Sequence, residues 1–221
     1  MKKKVFIVHT SLVSMQDLKD LFAEIAPEAE LYNIMDDSFL PEVRKNGGVT
    51  PNVVKRMTAY FQMAEAAGAD LIFNQCSSVG EAADVAAATV NVPVVKVDEA
   101  MAKTAVGMGS RISMIATLPT TLNPSVRLVE KTAAALGKEV TVKRCLVDGA
   151  FDVLFYEKNA EKHNEMVIEA INAEAEGGAD VILLAQGSMM HLLPLVKDSK
   201  VPVLCSPRLG VLHAKEVLDT L

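Results

Sequence analysis

The feature that most constrains this chain is a pattern that starts twice. Gly68 opens the string GADLIFNQCSS, and Gly178, 110 residues later, opens GADVILLAQGS. At that offset Asp70 falls on Asp180, and Cys76 falls on Gln186. VPVVKV from Val92 is then echoed by VPVLCS from Val201, 109 residues on. Two matches in the same order at nearly one spacing indicate a duplicated unit. Each matched string is a short apolar run bounded by turn residues. The chain is therefore expected to be α/β, with two pseudo-symmetric lobes.

The remaining pattern fills in both halves. Residues 5–8 are a β-branched run that reads as a buried strand. Residues 14–26 have helical spacing, and Pro27 stops them. Residues 31–35 read as a second strand. Residues 51–67 form a helix that opens on Pro51 and closes at Gly68. Residues 71–73 and 92–97 give two more strands, with a helix over 81–89 between them. In the second half, 112–116 and 140–147 take the places of the first two strands, which sets Asp37 against Asp148. Strands alternating with helices predict βαβ units, so each lobe is expected to carry a short, mostly parallel sheet flanked by helices. The spacing assigns residues 1–106 with 210–221 to the first lobe and 107–209 to the second. The joint falls near 107–110, and the last helix, over 210–221, returns to the first lobe.

Composition removes several classes of function. The net charge is −6, there is no tryptophan and only 5% of residues are aromatic. That lacks the basic stripe and the stacking platforms that nucleic acid requires. Three cysteines, at 76, 145 and 205, are an odd number, which argues against a disulfide framework and for a reducing, cytoplasmic setting. The apolar run at 5–8 is well short of the ~7–15 residues of a signal-peptide core. No run approaches the ~20 apolar residues of a membrane span. VGMGSR at 106–111 contains Gly-x-Gly but precedes a strand and lacks the third glycine of a dinucleotide fingerprint, so it reads as a turn. His9, His163, His191 and His213 show no metal-ligand spacing, and no metal is expected. Neither Ser78 nor Ser188 lies in a GxSxG elbow. The acidic stretch over 161–176 reads as a solvated helix face.

A site in such folds lies beyond the carboxyl ends of the parallel strands. Those ends here are His9-Thr10-Ser11, Asn74-Gln75-Cys76-Ser77-Ser78, Ala116-Thr117-Leu118-Pro119-Thr120-Thr121 and Ala185-Gln186-Gly187-Ser188. They are small, polar and rich in hydroxyls. Each leads toward a helix start, whose free N–H groups suit a carboxylate. Cys76 stands at such a start, where a thiol pKa can fall. Its polar neighbours on both sides favour a chemical role over a core one. Cys145 reads as a core strand residue, and Cys205 as structural or as a residue lying just behind the site.

These residues resemble the aspartate/glutamate/hydantoin racemase superfamily. ATLPTT at 116–121, the run VPVVKVDEAMAKTAVGMGSRISMIAT from Val92 to Thr117, and the repeated lobe carry the resemblance, which covers most of the chain. It implies a ligand cleft between two lobes and catalysis without a cofactor. It also implies one thiol from each lobe acting on opposite faces of the substrate α-carbon. Inversion needs that arrangement, because a base must remove the proton from one face and an acid must return one to the other. The resemblance makes Cys76 the first catalytic thiol. It makes Ser77 and Ser78 carboxylate donors, and Thr10 and Ser11 ligand contacts of the first strand end. Thr117, Thr120 and Thr121 become the threonine motif of the second lobe, beside Gly187 and Ser188. A homo-oligomer is expected by analogy.

One position departs from the pattern. The second thiol is expected at residue 186, where this chain carries Gln186. A glutamine amide donates and accepts hydrogen bonds but is no proton base near neutral pH. Three readings follow. The first is a racemase or epimerase acting on a small acid of the Asp/Glu/hydantoin type, with His191, His9 or water serving the other face. The second is a single-thiol lyase such as a decarboxylase, or another isomerase. Decarboxylases of this superfamily keep the second-lobe thiol, however, whereas this chain keeps the first. The third is a non-catalytic small-acid-binding protein. Arg208 could meet a distal carboxylate or lie on the surface.

Overall fold

The structure, a computed structural model, describes residues 2–221. The first half runs β1 (Lys3–His9), α1 (Met15–Ile25), β2 (Ala29–Met35), α2 (Phe39–Asn46), α3 (Pro51–Ala66), β3 (Leu71–Asn74), α4 (Gly80–Ala87) and β4 (Val94–Lys96). It continues with α5 (Glu99–Met108), β5 (Arg111–Ala116), α6 (Pro119–Ala135), β6 (Thr141–Leu146), α7 (Ala150–Phe155), α8 (Ala160–Glu176), β7 (Val181–Leu184), β8 (Val203–Cys205) and α9 (Ser206–Asp219). The strands form two parallel four-stranded sheets, ordered β2-β1-β3-β4 and β6-β5-β7-β8. The same strand order in both is what a duplication predicts. The chain divides into two units, Met1–Glu99 with Pro207–Leu221, and Ala100–Ser206. The change of unit falls at the start of α5, while the sequence placed it near the end of that helix.

The repeated GAD string has a physical role. Gly68 and Gly178 adopt left-handed φ values of 83° and 86°, which turn the chain sharply after a helix. The following aspartate then ties the incoming strand to its neighbour. Asp70 Oδ2 accepts from the Lys4 N–H at 2.7 Å, and the Asp70 N–H donates to the Lys4 carbonyl at 2.9 Å. In the second unit Asp180 Oδ2 accepts from the N–H groups of Ser110 and Arg111, at 3.0 and 2.8 Å. The Asp180 N–H donates to the Arg111 carbonyl at 2.7 Å. The Arg111 guanidinium also bonds Asp180, and together with these N–H donors it holds the carboxyl at about 2. The second lock needs Gly109, because a Cβ there would lie 2.4 Å from Asp180 Cβ.

In the first unit, Thr50 caps α3 by accepting from the Val53 N–H at 3.2 Å, and Pro51 supplies the first helical position. Val53, Met57, Phe61 and Ala64 then face inward, packing with Phe6, Val8, Ile34 and Phe39. Each large apolar side chain buried this way contributes about 1.5–3 kcal/mol relative to exposure. Strand β3 is buried at every position, including the polar Asn74. Helix α9 returns to this unit through buried Val211, Ala214 and Leu218. Gly210 permits the approach, since a Cβ there would lie 2.5 Å from the Val97 carbonyl oxygen.

In the second unit, Asn159 caps α8 by accepting from the Lys162 N–H at 3.0 Å. The inward face of α8 is His163, Val167, Ile171 and Glu174. Glu174 departs from the expected solvated acidic face. Its carboxylate is buried, accepts from Ser113 Oγ at 2.8 Å and pairs with Lys143 Nζ at 2.9 Å. Cys145 also departs from expectation. Strand β6 is an edge strand with no fully buried position, so Cys145 is only half-buried against the core. Residues 187–196 form a 3-10 helix.

Candidate active site

Parallel pairing brings the sequence-predicted strand ends of each unit together. In the first unit Val8 pairs with Asn74, so β1 and β3 finish side by side. The Gln75 N–H continues that ladder by donating to the Val8 carbonyl at 3.1 Å. Cys76 follows in extended conformation, φ −124° and ψ 119°, and caps a 3-10 helix over Ser77–Val79 that leads into α4. Its carbonyl accepts from the Val79 N–H at 3.3 Å and from Asn74 Nδ2 at 3.1 Å.

The Cys76 thiol is held among donors. Hydrogen bonds reach it from the Thr10 side chain, from the backbone and side chain of Ser78, and from the Val79 N–H. Burial pushes the thiol up from its ordinary value, and these donors pull it down by less. The helix start alone led to the opposite expectation, a lowered pKa. Desolvation wins here because Thr10 and Ser78 are themselves almost wholly buried. The resting group is therefore a neutral thiol whose surroundings are already arranged to receive a thiolate. That suits a group that must both give and take a proton.

Ser77, expected as a carboxylate donor, is already engaged within the protein. Its side chain bonds the carboxyl of Asp98, which follows β4 and is 4% exposed. Burial pushes the Asp98 carboxyl up, while Ser77 and Lys96 oppose the shift. Lys96 Nζ pairs with Asp84 at 2.5 Å and Glu99 at 3.5 Å. Sequence reasoning passed over Asp98, which lies in a charged run that read as a link between lobes. The available signal was its place directly after a strand end.

His9 is fully buried, and its Nε2 lies 2.8 Å from Asn33 Oδ1. Burial lowers its pKa, and the Asn33 bond offsets part of the shift. His9 is thus a neutral, strand-end residue. Ser11 is half-buried. His191 is exposed on the 3-10 helix over Gly187–Val196. Arg208 lies on the surface and forms a two-pronged pair with Glu24 at 3.0 and 2.5 Å.

Buried polar atoms without a protein partner collect at this strand end. His9 Nδ1, Asn74 Oδ1, Gln75 Oε1 and Asp98 Oδ1 all belong to it. Such a group ordinarily costs about 1–3 kcal/mol when left unpaired, so a cluster marks a place where stability yields to function.

In the second unit the same backbone recurs. Gln186 is extended at φ −103° and ψ 134° and caps a 3-10 helix, and its carbonyl accepts from the Met189 N–H at 3.0 Å. The Ala185 N–H donates to the Ile115 carbonyl as Gln75 does to Val8. Gln186 Oε1 accepts from the Thr117 N–H at 3.1 Å, and Gln186 Nε2 donates to Thr117 Oγ1 at 2.5 Å. So the first strand end meets the third through equivalent pairs, Thr10 with Cys76 and Thr117 with Gln186. Thr117 and Thr121 are nearly buried, and Thr120 Oγ1 is buried without a protein partner. Gly187 and Ser188 are half-buried at the start of the 3-10 helix. Cys205 is structural: it is buried, its Sγ lies 3.5 Å from the Gln186 carbonyl, and burial drives it to about 12.

Among the described residues, no group of three or more His, Cys, Asp or Glu could hold a metal ion, and no helix is long and apolar enough to cross a membrane.

Comparison with known structures finds the same fold. An allantoin racemase from Klebsiella pneumoniae superposes with a TM-score of 0.76 at 20% identity, covering 99% of this chain and 88% of the other. A putative Asp/Glu racemase from Yersinia pestis gives 0.76 at 16% identity, covering 99% and 100%. An aspartate racemase homologue from Pyrococcus horikoshii gives 0.71 at 21% identity, covering 100% and 99%. No curated protein sequence matches the chain. The family model for Asp/Glu/hydantoin racemases matches residues 5–214, a span that takes in both GAD repeats, Cys76 and the Thr117 motif. With one strand order built twice and a donor-lined thiol at the end of β3, this chain belongs to the Asp/Glu/hydantoin racemase family.

Proposed function

We propose that the protein is a cofactor-independent isomerase acting at the α-carbon of a small carboxylic acid of the aspartate, glutamate or hydantoin type. Cys76 is the acid/base group. The observation that carries this reading is the set of donors around its thiol, from Thr10, Ser78 and Val79. A half-buried thiol without them would be an ordinary packing residue. With them, the thiolate formed at deprotonation is stabilised where it forms. The cytoplasm is the setting that an odd number of unpaired thiols favours.

Removing an α-proton leaves charge that spreads into the adjoining carboxylate. Donors on that carboxylate must strengthen as the charge grows. Thr10, Ser11, Ser78 and the N–H groups that open the 3-10 helix are the candidates in the first unit. In the second unit they are Thr117, Thr120, Thr121, Gly187 and Ser188. Ser77 acts through Asp98 as a support for the loop that carries Cys76.

The position that the repeat pairs with Cys76 supplies no proton. Both ends of the Gln186 amide are already bonded to Thr117. This favours one-thiol chemistry. Exchange of the α-hydrogen on the face served by Cys76 is direct, and protonation of the other face has to come from water. A single-thiol lyase would draw on the same arrangement.

The test is incubation with L-aspartate, L-glutamate and 5-substituted hydantoins in D₂O, followed by mass spectrometry. The wild-type protein is expected to place deuterium at the α-carbon of one of them, and the Cys76→Ala variant is expected not to. Equal incorporation by both proteins would remove Cys76 from the chemistry. Binding without exchange by the wild type would leave a binding protein in place of an enzyme.

A further inference from the structure

The two strand-end pairs differ in the direction of their hydrogen bonds. In the first unit the Thr10 side chain donates toward the Cys76 sulfur. In the second, Gln186 Nε2 donates to Thr117 Oγ1, and Gln186 Oε1 accepts from the Thr117 N–H. An amide N–H can only donate, so it fixes which end of the glutamine faces it. The orientation of the amide then follows. Thr117 Oγ1 receives a hydrogen bond, and its own hydroxyl proton must be given elsewhere. Thr117 is 6% exposed, so few other orientations are open to it.

We infer that Gln186 is a positioning residue that clamps Thr117 and presents the Thr117 hydroxyl as a fixed hydrogen-bond donor to an oxygen of the bound acid. The replacement of a thiol by an amide thus has a positive role as well as a loss. A thiol at this position would leave the Thr117 N–H without its acceptor and the hydroxyl free to turn either way. The amide spends both its groups on one neighbour and pre-orders a donor before the ligand arrives. Cys205 supports the clamp from behind through the Gln186 carbonyl. The assignment of the ligand as an acid rests on the proposed function above, while the clamp itself does not.

The test uses the full chain, labelled with nitrogen-15, and the probes L-aspartate, L-glutamate and 5-methylhydantoin. Two quantities are read: hydrogen exchange of the Thr117 amide, and probe affinity from resonance shifts. Gln186→Ala is expected to speed Thr117 amide exchange by about tenfold or more while amides of the β5–β7 ladder keep their protection. It is expected to weaken the best-bound probe by roughly tenfold. The decisive comparison repeats Gln186→Ala in a Thr117→Val background. If glutamine acts through the threonine hydroxyl, its removal there changes affinity by less than about twofold. A merely structural glutamine would give the same loss in both backgrounds, and that additivity would overturn the inference. So would unchanged Thr117 exchange in Gln186→Ala, or the absence of any Thr117 shift on adding all three probes to the wild type. Failure of the proposed function is read separately, from deuterium at the α-carbon and its dependence on Cys76.

Discussion

Two glycines, one in the last turn of α5 and one just after it, are expected to respond in opposite ways to the same substitution. Gly107 lies in α5 with no atom within 4 Å of the position a Cβ would take. Alanine there removes the entropic cost of a helical glycine, so Gly107→Ala should stabilise by about 0.5–1 kcal/mol. Gly109, two residues on, has Asp180 Cβ only 2.4 Å from the corresponding point, and its Cγ and Oδ2 at 3.0 Å. An ordinary contact is near 3.4–4 Å, so β5 and the start of β7 would have to part by about 1 Å. Overpacking of that kind costs about 1–3 kcal/mol. The carbon that must move belongs to the aspartate that ties the two strands, so relief by a side-chain rotation is closed. At about 2–4 °C per kcal/mol for a chain of this size, Gly109→Ala should lower Tm by roughly 2–12 °C, and Gly107→Ala should raise it by about 1–4 °C. Differential scanning calorimetry of the three proteins at one scan rate measures both. Shifts of the same sign, or a Gly109→Ala transition within about 1 °C of wild type, would refute the account of the duplicated aspartate lock.

Other expectations are simpler to state. Burial raises the folded-state pKa of Asp98, so its favourable contribution is present below the unfolded value near ~3.9 and is lost as pH rises through the folded value. Urea midpoints measured from pH 4 to pH 8 should therefore move in favour of Asp98→Asn as pH rises. A difference that stays flat with pH would show that Asp98 is not desolvated. Cys205, at about 12, is about 10⁴-fold short of thiolate at pH 8, and its exposure is 3%. Iodoacetamide at pH 8 should leave it unlabelled in the folded protein and label it in urea, with peptide mass spectrometry as the readout. Half-buried Cys145 should label before Cys205 in the native state. Rapid native labelling of Cys205 would contradict its place in the core.

Much of the frame was legible because a few residues have only one physical use. Gly68 and Gly178 permit the left-handed turn, and the aspartates after them lock β1 to β3 and β5 to β7. Those constraints made the repeat visible at one spacing, and with it the equivalence of Cys76 and Gln186. The strand ends followed from the same rule and brought Thr10 to Cys76 and Thr117 to Gln186. What stayed hidden depended on distant packing. Helices α2 and α7 are only eight and six residues long, too short for a helical period to announce them. MMHLLPL at 189–195 has helical composition, yet it forms part of a 3-10 helix containing Pro194. The rise in the Cys76 thiol pKa comes from burial, against the pull of donors such as Thr10, and a helix-start rule cannot weigh burial that the fold imposes. Glu174 read as part of a solvated acidic face, and Asp98 was passed over within the run from Val92 to Thr117 that read as a link between lobes. Their burial is set by Ser113 and Lys143 for one, and by Ser77 and Lys96 for the other.

The central claim is that Cys76 is the single acid/base group and that residue 186 returns no proton. Its most direct test follows one acid in D₂O with two readouts on the same samples, deuterium at the α-carbon by mass spectrometry and configuration by chiral chromatography. The account predicts that early deuterium incorporation outruns inversion, that most exchanged molecules keep their configuration, and that both signals vanish in Cys76→Ala. Inversion that keeps pace with exchange from the first time points, as two matched proton donors would produce, would contradict it.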